Sequence, residues 1–136
     1  MIRKPPSPHR FAAAIAERLN QVVPPGFSVR ANGSSVDVYT RGDDRHASAG
    51  AQIIVANDGR SLVERMEVAA RAILDGAQDG IMEILTDQWP LGPGGEFVHP
   101  VVRVDGRQLL MWFGEEGAPV IVLPPLSIDE IVEGAA

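Results

Sequence analysis

Apolar residues first recur at helical spacing, at positions i, i+4, i+8 and i+11 of one stripe: Phe11, Ile15, Leu19 and Val22. Ser7 suits an N-cap, and Pro8 suits the first helical position because its missing N–H has no partner there. The run 24–26 (Pro-Pro-Gly) stops a helix. The pattern predicts a helix over 8–22, and the polar, proline-rich segment 1–7 predicts a disordered N-terminal arm.

A period of two replaces the helical period after this helix. Asn32-Gly33 favours a tight hairpin turn, because both central residues of a type I′ turn need a positive φ. Pairing outward from that turn sets Ala31 opposite Ser34, Val29 opposite Val36, and Phe27 opposite Val38. After the polar loop 41–45, alternation in Ala49–Ala56 predicts a third strand. We therefore expect three antiparallel strands with one solvated face.

A second helical pattern begins at a capping box, Ser61-x-x-Glu64, and keeps its period to about Asp87. Gly76 and Gly80 interrupt it, each costing about 1 kcal/mol relative to alanine inside a helix. Either the helix breaks near Asp75-Gly76, or it is one long helix with glycines at a close contact. The unbroken period favours one helix, which Trp89-Pro90 closes.

A second hairpin follows the glycine-proline loop 91–96. Its turn is predicted at Asp105-Gly106, which sets Val104 opposite Arg107, Val102 opposite Leu109, and Pro100 opposite Met111. Both faces of this hairpin are apolar, so it is either covered on both sides or meets a partner on one. A last short strand is predicted at Val120–Leu123, and Ser127-x-x-Glu130 predicts a cap for a short C-terminal helix.

The resulting order is α-βββ-α-βββ-α, which predicts a single two-layer α+β domain over 8–136, with helices on one face of an antiparallel sheet. This order resembles that of the small α+β chaperones that serve bacterial secretion systems, which also place a helix before three strands and a long helix before further strands. The resemblance rests on element order and implies a chaperone-like homodimer.

Charge is distributed unevenly along the chain. The net charge of −6 divides into +2 over 1–68 and −8 over 69–136, and no Lys or Arg lies between Ala72 and Val102. Such a surface disfavours nucleic-acid binding, which depends on basic side chains that neutralise phosphates. Asp75, Asp79, Glu83 and Asp87 form an acidic stripe at helical spacing. The stripe is either a solvated face or a surface for a basic partner.

Few residues point to catalysis. The chain has no cysteine, which excludes disulfides, thiol catalysis and cysteine-based metal sites. Its three histidines lack metal-ligand spacing, and no Gly-x-Ser-x-Gly occurs. The glycine loop 91–96 follows a helix, precedes a strand and lacks lysine, unlike a phosphate-binding loop. We therefore expect no cofactor and no metal site. With no apolar run long enough for a membrane and no secretory leader, we expect a cytoplasmic protein.

Aromatic residues concentrate in the second half of the chain, where four of the seven lie within residues 89–113. Aromatic clusters of this kind anchor either a core or an interface. We predict a non-enzymatic protein-binding or adaptor domain that engages an apolar or basic segment of a partner. The alternative is a small enzyme or ligand-binding protein with a pocket near Trp89, His99, Arg103 and Trp112. The candidate binding residues are Trp89, Phe97, His99, Arg103 and Trp112, together with the acidic Asp75, Asp79 and Glu83.

Overall fold

A computed structural model describes residues 6–40, 45–56 and 58–131 and confirms the α+β class. The described helices pack against two antiparallel sheets, rather than the single sheet predicted. The helices are α1 (Pro8–Leu19) and α2 (Leu62–Leu85). Sheet 1 contains β1 (Ser28–Asn32), β2 (Ser35–Tyr39) and β3 (Arg45–Ala49). Sheet 2 contains β4 (Pro100–Asp105), β5 (Gln108–Glu115), β6 (Ala118–Val122) and the two-residue β7 (Leu126–Ser127), which pairs with β5.

Helix α1 begins as predicted, with the Ser7 hydroxyl accepting from the Arg10 N–H at 3.4 Å. It ends at Leu19, three residues before the predicted end, because the side chain of the next residue, Asn20, bonds to the backbone of β1. The Asn20 side chain donates to the Val29 carbonyl oxygen and accepts from the Val29 N–H, both at 2.6 Å. It therefore occupies the edge of β1. The end of the predicted arm is held in place by the Ser7 N–H, which donates to the Ile131 carbonyl oxygen at 2.9 Å; residues 1–5 lie outside the described part.

Both hairpins are present, but each register differs from the prediction by two residues. In the first, Asn32 pairs with Ser35, so that the two-residue loop is Gly33-Ser34. In the second, Asp105 pairs with Gln108, so that the loop is Gly106-Arg107. Each loop begins with a glycine of positive φ, 64° and 62°, the pattern of a type II′ turn. A shift of two leaves every side chain on its predicted face, because side chains alternate with a period of two.

The predicted third strand over Ala49–Ala56 is wrong. The strand is β3, which ends at Ala49, and Ala51–Val55 form a 3₁₀ helix in which Ala51 and Ile54 are buried three residues apart. Gly50 separates the two elements. A Cβ atom on Gly50 would lie 2.9 Å from both the Ala69 carbonyl oxygen and the Ala72 Cβ of α2, so only glycine fits this close approach. The chain leaves sheet 1 here to pack against α2.

Helix α2 runs without a break through Gly76 and Gly80, as the period indicated, and its capping box between Ser61 and Glu64 is formed. It packs against β3 of sheet 1 and β4 of sheet 2, and so connects the two halves of the core. The Glu67 carboxylate accepts from the Val104 N–H at 2.9 Å, on the side of β4 away from β5. Helix α2 therefore covers the outer edge of sheet 2 at this point.

The predicted C-terminal helix does not begin as an α-helix, and residues 132–136 lie outside the described part of the chain. Ile128–Glu130 form only a short 3₁₀ turn, and the Ser127 side chain makes no cap, because the residues before the turn pair with β5 instead. The strand predicted at Val120–Leu123 is β6, which spans Ala118–Val122. The buried Arg18 guanidinium holds this segment, donating to the Pro125 carbonyl oxygen at 3.2 Å.

Candidate functional site

The glycine-proline loop after α2 is held against the helix by one buried side chain. Gln78 is 1% exposed, and its Nε2 donates to the carbonyl oxygens of Trp89 at 3.2 Å and Val98 at 2.7 Å. The Trp89 ring packs edge-on against Phe113, with ring centroids 5.4 Å apart. Phe113 is fully buried on the inner face of sheet 2. Trp89 is therefore a half-buried core contact that anchors the start of the loop.

A cleft of about 470 Å³ lies between this loop and the hairpin formed by β5 and β6. Its walls are mainly apolar, and its ionisable side chains are two glutamates and one histidine. The lining residues are Pro93, Glu96, Phe97, Val98, His99, Val101, Gly114, Glu115, Ala118 and Val120.

Two of the predicted site residues lie at this cleft and contact each other. The His99 ring meets the Phe97 ring edge-on, with centroids 4.6 Å apart, and His99 is exposed while Phe97 is half-buried. His99 also lies close enough to α2 to influence Asp75. Partial desolvation and then the neighbouring Asp79 raise the pKa of the Asp75 carboxyl, whereas Arg71 and His99 act in the opposite direction.

Arg103 lies on the other side of sheet 2 from the core and does not line the cleft. It forms an ion pair with Glu116, in the turn between β5 and β6. Arg103 is opposite Leu110 in the register, and Glu116 is six residues further along the chain, about 20 Å along a straight strand. Two side chains cannot span that distance, so the sheet must curl and bring the hairpin tip back towards β4. The irregular pairing between Phe113 and Gly114 marks where it bends.

The face of sheet 2 that points away from the core is apolar at its centre. The register places Val101 and Val122 on either side of Trp112, and Leu110 two residues along β5 from it. We call these four residues the outer face of sheet 2. Val122 is 60% exposed, and the other three are half-buried. The Trp112 indole nitrogen is buried and has no hydrogen-bond acceptor in the described part of the chain.

The acidic stripe is exposed on α2. Asp75, Asp79 and Glu83 all lie on the solvent side of the helix, one turn apart. Asp75 lies within electrostatic reach of His99, which lines the cleft. The stripe thus extends the acidic character of the cleft along the helix.

The structure does not bring the four residues of the alternative pocket together. Of these, His99 lines the cleft, whereas Trp89 packs on Phe113, Arg103 pairs with Glu116, and Trp112 lies on the outer face of sheet 2. Val101, Val120 and Glu115 also line the cleft, although they are not among the predicted site residues. Only the strand alternation could have placed the two valines on a common face.

Over residues 6–40, 45–56 and 58–131, no group of three or more histidine or carboxylate side chains could hold a metal ion. In the same ranges, neither helix combines the length and the apolar character needed to cross a bilayer. Comparison with protein-family models, curated proteins and solved structures finds no match to this chain.

Proposed function

We propose that this chain is a non-enzymatic protein-binding domain, whose outer face of sheet 2 binds an extended apolar segment of a partner protein. The observation that carries the proposal is the unequal burial of the two faces of this sheet. Leu109 and Phe113 on the inner face are fully buried, whereas Val122 on the outer face is 60% exposed. Contiguous apolar surface on a small protein commonly marks an interaction site.

Trp112 is the residue on this face best suited to anchor a partner. Tryptophan is enriched among the residues that dominate binding energy at interfaces. Its large ring buries much apolar area on binding, and its N–H can donate one hydrogen bond to the partner. The Trp112 indole N–H has no acceptor in the described residues, and a buried donor without an acceptor costs about 1–3 kcal/mol. Rotation of the half-buried ring towards a bound segment would bring this N–H to a carbonyl oxygen, which would supply that acceptor.

The sheet edge favours recognition through side chains over addition of a further strand. In the described residues, β6 pairs only with β5, which leaves its other edge open. Pro119 lies within β6 and has no N–H to donate. A partner added at this edge would therefore find an incomplete row of donors, whereas the outer face of sheet 2 offers uninterrupted apolar contact.

The proposal includes self-association into a homodimer. The element order resembles that of the small secretion chaperones, and a two-fold pair would present two binding faces to one partner chain. The outer face of sheet 2 is assigned to the partner, so the dimer contact lies elsewhere on the surface.

A peptide selection followed by NMR tests the assignment. A random peptide library displayed on phage is selected against the full chain, and enriched peptides are titrated into ¹⁵N-labelled protein. The chain has two tryptophans and so gives two indole N–H signals, which a Trp89→Phe variant assigns. We expect the Trp112 indole signal to shift on binding, because its N–H gains an acceptor. No enrichment, or a shift confined to Trp89, would contradict the proposal.

Two exposed valines provide a matched comparison. Val122→Asp should abolish peptide binding, whereas Val55→Asp should leave it unchanged, because Val55 is 49% exposed on the 3₁₀ helix of the other half of the fold. Sedimentation velocity of both variants measures association. A dimer that dissociates only in Val122→Asp would assign the outer face of sheet 2 to a second copy and refute the partner assignment.

A further inference from the structure

Three glutamates surround the cleft and the adjoining hairpin tip, and only one of them is free to meet a ligand. Glu116 is neutralised by the ion pair with Arg103. Glu96 accepts a hydrogen bond from the Gly94 N–H at 2.8 Å, and its side chain folds back on its own loop. Glu115 lines the cleft and is exposed, and its carboxylate makes no hydrogen bond or ion pair within the described part of the chain.

The walls beside Glu115 are apolar. Val101 and Val120 line the cleft from β4 and β6, and the Phe97 ring lines it from the loop. Lysine and arginine carry a charged head on a long apolar stem, and they bury the stem against apolar surface while the head stays at the rim. A cleft of about 470 Å³ has room for such a side chain, and its apolar walls and free carboxylate suit the stem and the charged head.

The surrounding charge favours the same occupant. No Lys or Arg lies between Ala72 and Val102, and the exposed Asp75 and Asp79 extend the negative field from the cleft along α2. An acidic segment would be repelled. The second half of this chain carries a net charge of −8, so the same half of a second copy is a poor occupant.

We propose that the cleft holds a lysine or arginine side chain of the partner's segment, with its charged head paired to Glu115 and its stem against Val101 and Val120. This inference rests on the proposed function, and it identifies the partner as a segment that carries a cationic side chain beside its apolar residues. Val101 belongs to both surfaces, so the cleft continues directly from the outer face of sheet 2.

The test repeats the phage selection with the full chain and with its Glu115→Lys variant in parallel. We expect peptides enriched on the original chain to combine apolar residues with Lys or Arg, and those enriched on the variant to carry Asp or Glu instead. Apolar peptides enriched equally with and without a cationic residue would overturn the cation assignment and leave the proposed function standing. Failure to enrich any peptide would overturn both.

Binding of one enriched, fluorescently labelled peptide is then measured by anisotropy. Glu115→Gln should weaken it about fivefold, and replacing the peptide's Lys or Arg with Gln should weaken it no further in that variant. Glu17→Gln, which removes one negative charge from the exposed face of α1, should change the affinity less than twofold. Equal losses of peptide affinity in Glu115→Gln and Glu17→Gln would show that only the overall charge acts, and would overturn the pairing.

The melting temperature checks that Glu115→Gln is folded. Because the Glu115 carboxylate has no partner in the described residues, its replacement should leave the melting temperature unchanged.

Discussion

The amide of Gln78 donates to the carbonyl oxygen of Val98 at 2.7 Å, in a place where the side chain is almost wholly buried. The same nitrogen reaches the carbonyl oxygen of Trp89 at 3.2 Å. One side chain of α2 therefore fixes both ends of the loop that forms one wall of the cleft. The position of that wall depends on a polar group inside the core.

Gln78→Met should lower the free energy of unfolding by about 1–3 kcal/mol, because it keeps the length of the side chain but leaves two carbonyl oxygens without their donor. Urea denaturation measures the loss. Gln88→Met is the control, since Gln88 is exposed and should stay within about 0.5 kcal/mol. An unchanged unfolding free energy in Gln78→Met would mean that the loop is held by other contacts.

Arg18→Met should destabilise the protein by about 1.5–3 kcal/mol. The buried guanidinium donates to the Ala14 carbonyl oxygen at 3.1 Å as well as to the Pro125 carbonyl oxygen, which fastens the C-terminal segment to α1. Glu130→Gln removes only the outer ion pair at 3.4 Å and should cost less than about 1 kcal/mol. Thermal melts of both variants separate these contributions. Equal losses of stability in Arg18→Met and Glu130→Gln would show that the ion pair, rather than the carbonyl contacts, holds the segment.

Gly50→Ala should cost about 1–3 kcal/mol, since the new Cβ would meet the Ala69 carbonyl oxygen of α2 at 2.9 Å. A backbone atom of a long helix cannot move aside cheaply. Gly94→Ala is the matched change, because its Cβ would meet only the end of the Glu96 side chain at 3.0 Å. We expect that variant to melt within a few degrees of the original chain. A stable Gly50→Ala protein would refute the close approach of the chain to α2.

Asp75→Asn should stabilise the protein at pH 7, by about 0.2–0.5 kcal/mol. Partial desolvation and Asp79 raise the pKa of Asp75 in the folded protein, so the ionised form is less favourable there than in the unfolded chain. The resulting penalty is present above the folded pKa and disappears as the pH falls below the ordinary value near 3.9. The melting temperatures of Asp75→Asn and of the original chain should therefore converge as the pH is lowered from 7 to 3. A constant difference across that range would exclude a charge effect.

Strand alternation and capping residues were sufficient to predict the α+β class and the continuous α2. They were also sufficient to predict the faces of both hairpins. They could not fix the register, because Asn32-Gly33-Ser34 and Asp105-Gly106-Arg107 each allow two loops that share the glycine and place the same residues on the same face. Turn chemistry distinguishes the two only when the φ of the second loop residue is known.

The end of the third strand could not be predicted because it depends on a tertiary contact. The mainly apolar residues of Ala51–Val55 fit a strand as well as a 3₁₀ helix, and the approach of Gly50 to Ala69 decides between them. The cleft was missed for a similar reason. Its walls come from a loop, from β4 and from the hairpin tip, and they meet through tertiary contacts such as the Gly114 N–H, which donates to the His99 carbonyl oxygen at 3.0 Å.

Two polar side chains from outside the sheets occupy strand edges, and this arrangement bears on how the protein behaves at high concentration. Asn20 pairs with both backbone groups of Val29, and Glu67 takes the Val104 N–H. An intruding chain would have to displace these side chains before it could add to β1 or β4. Asn20→Ala and Glu67→Ala should therefore accelerate the formation of fibrils that bind thioflavin T, by exposing backbone groups that would template amyloid growth.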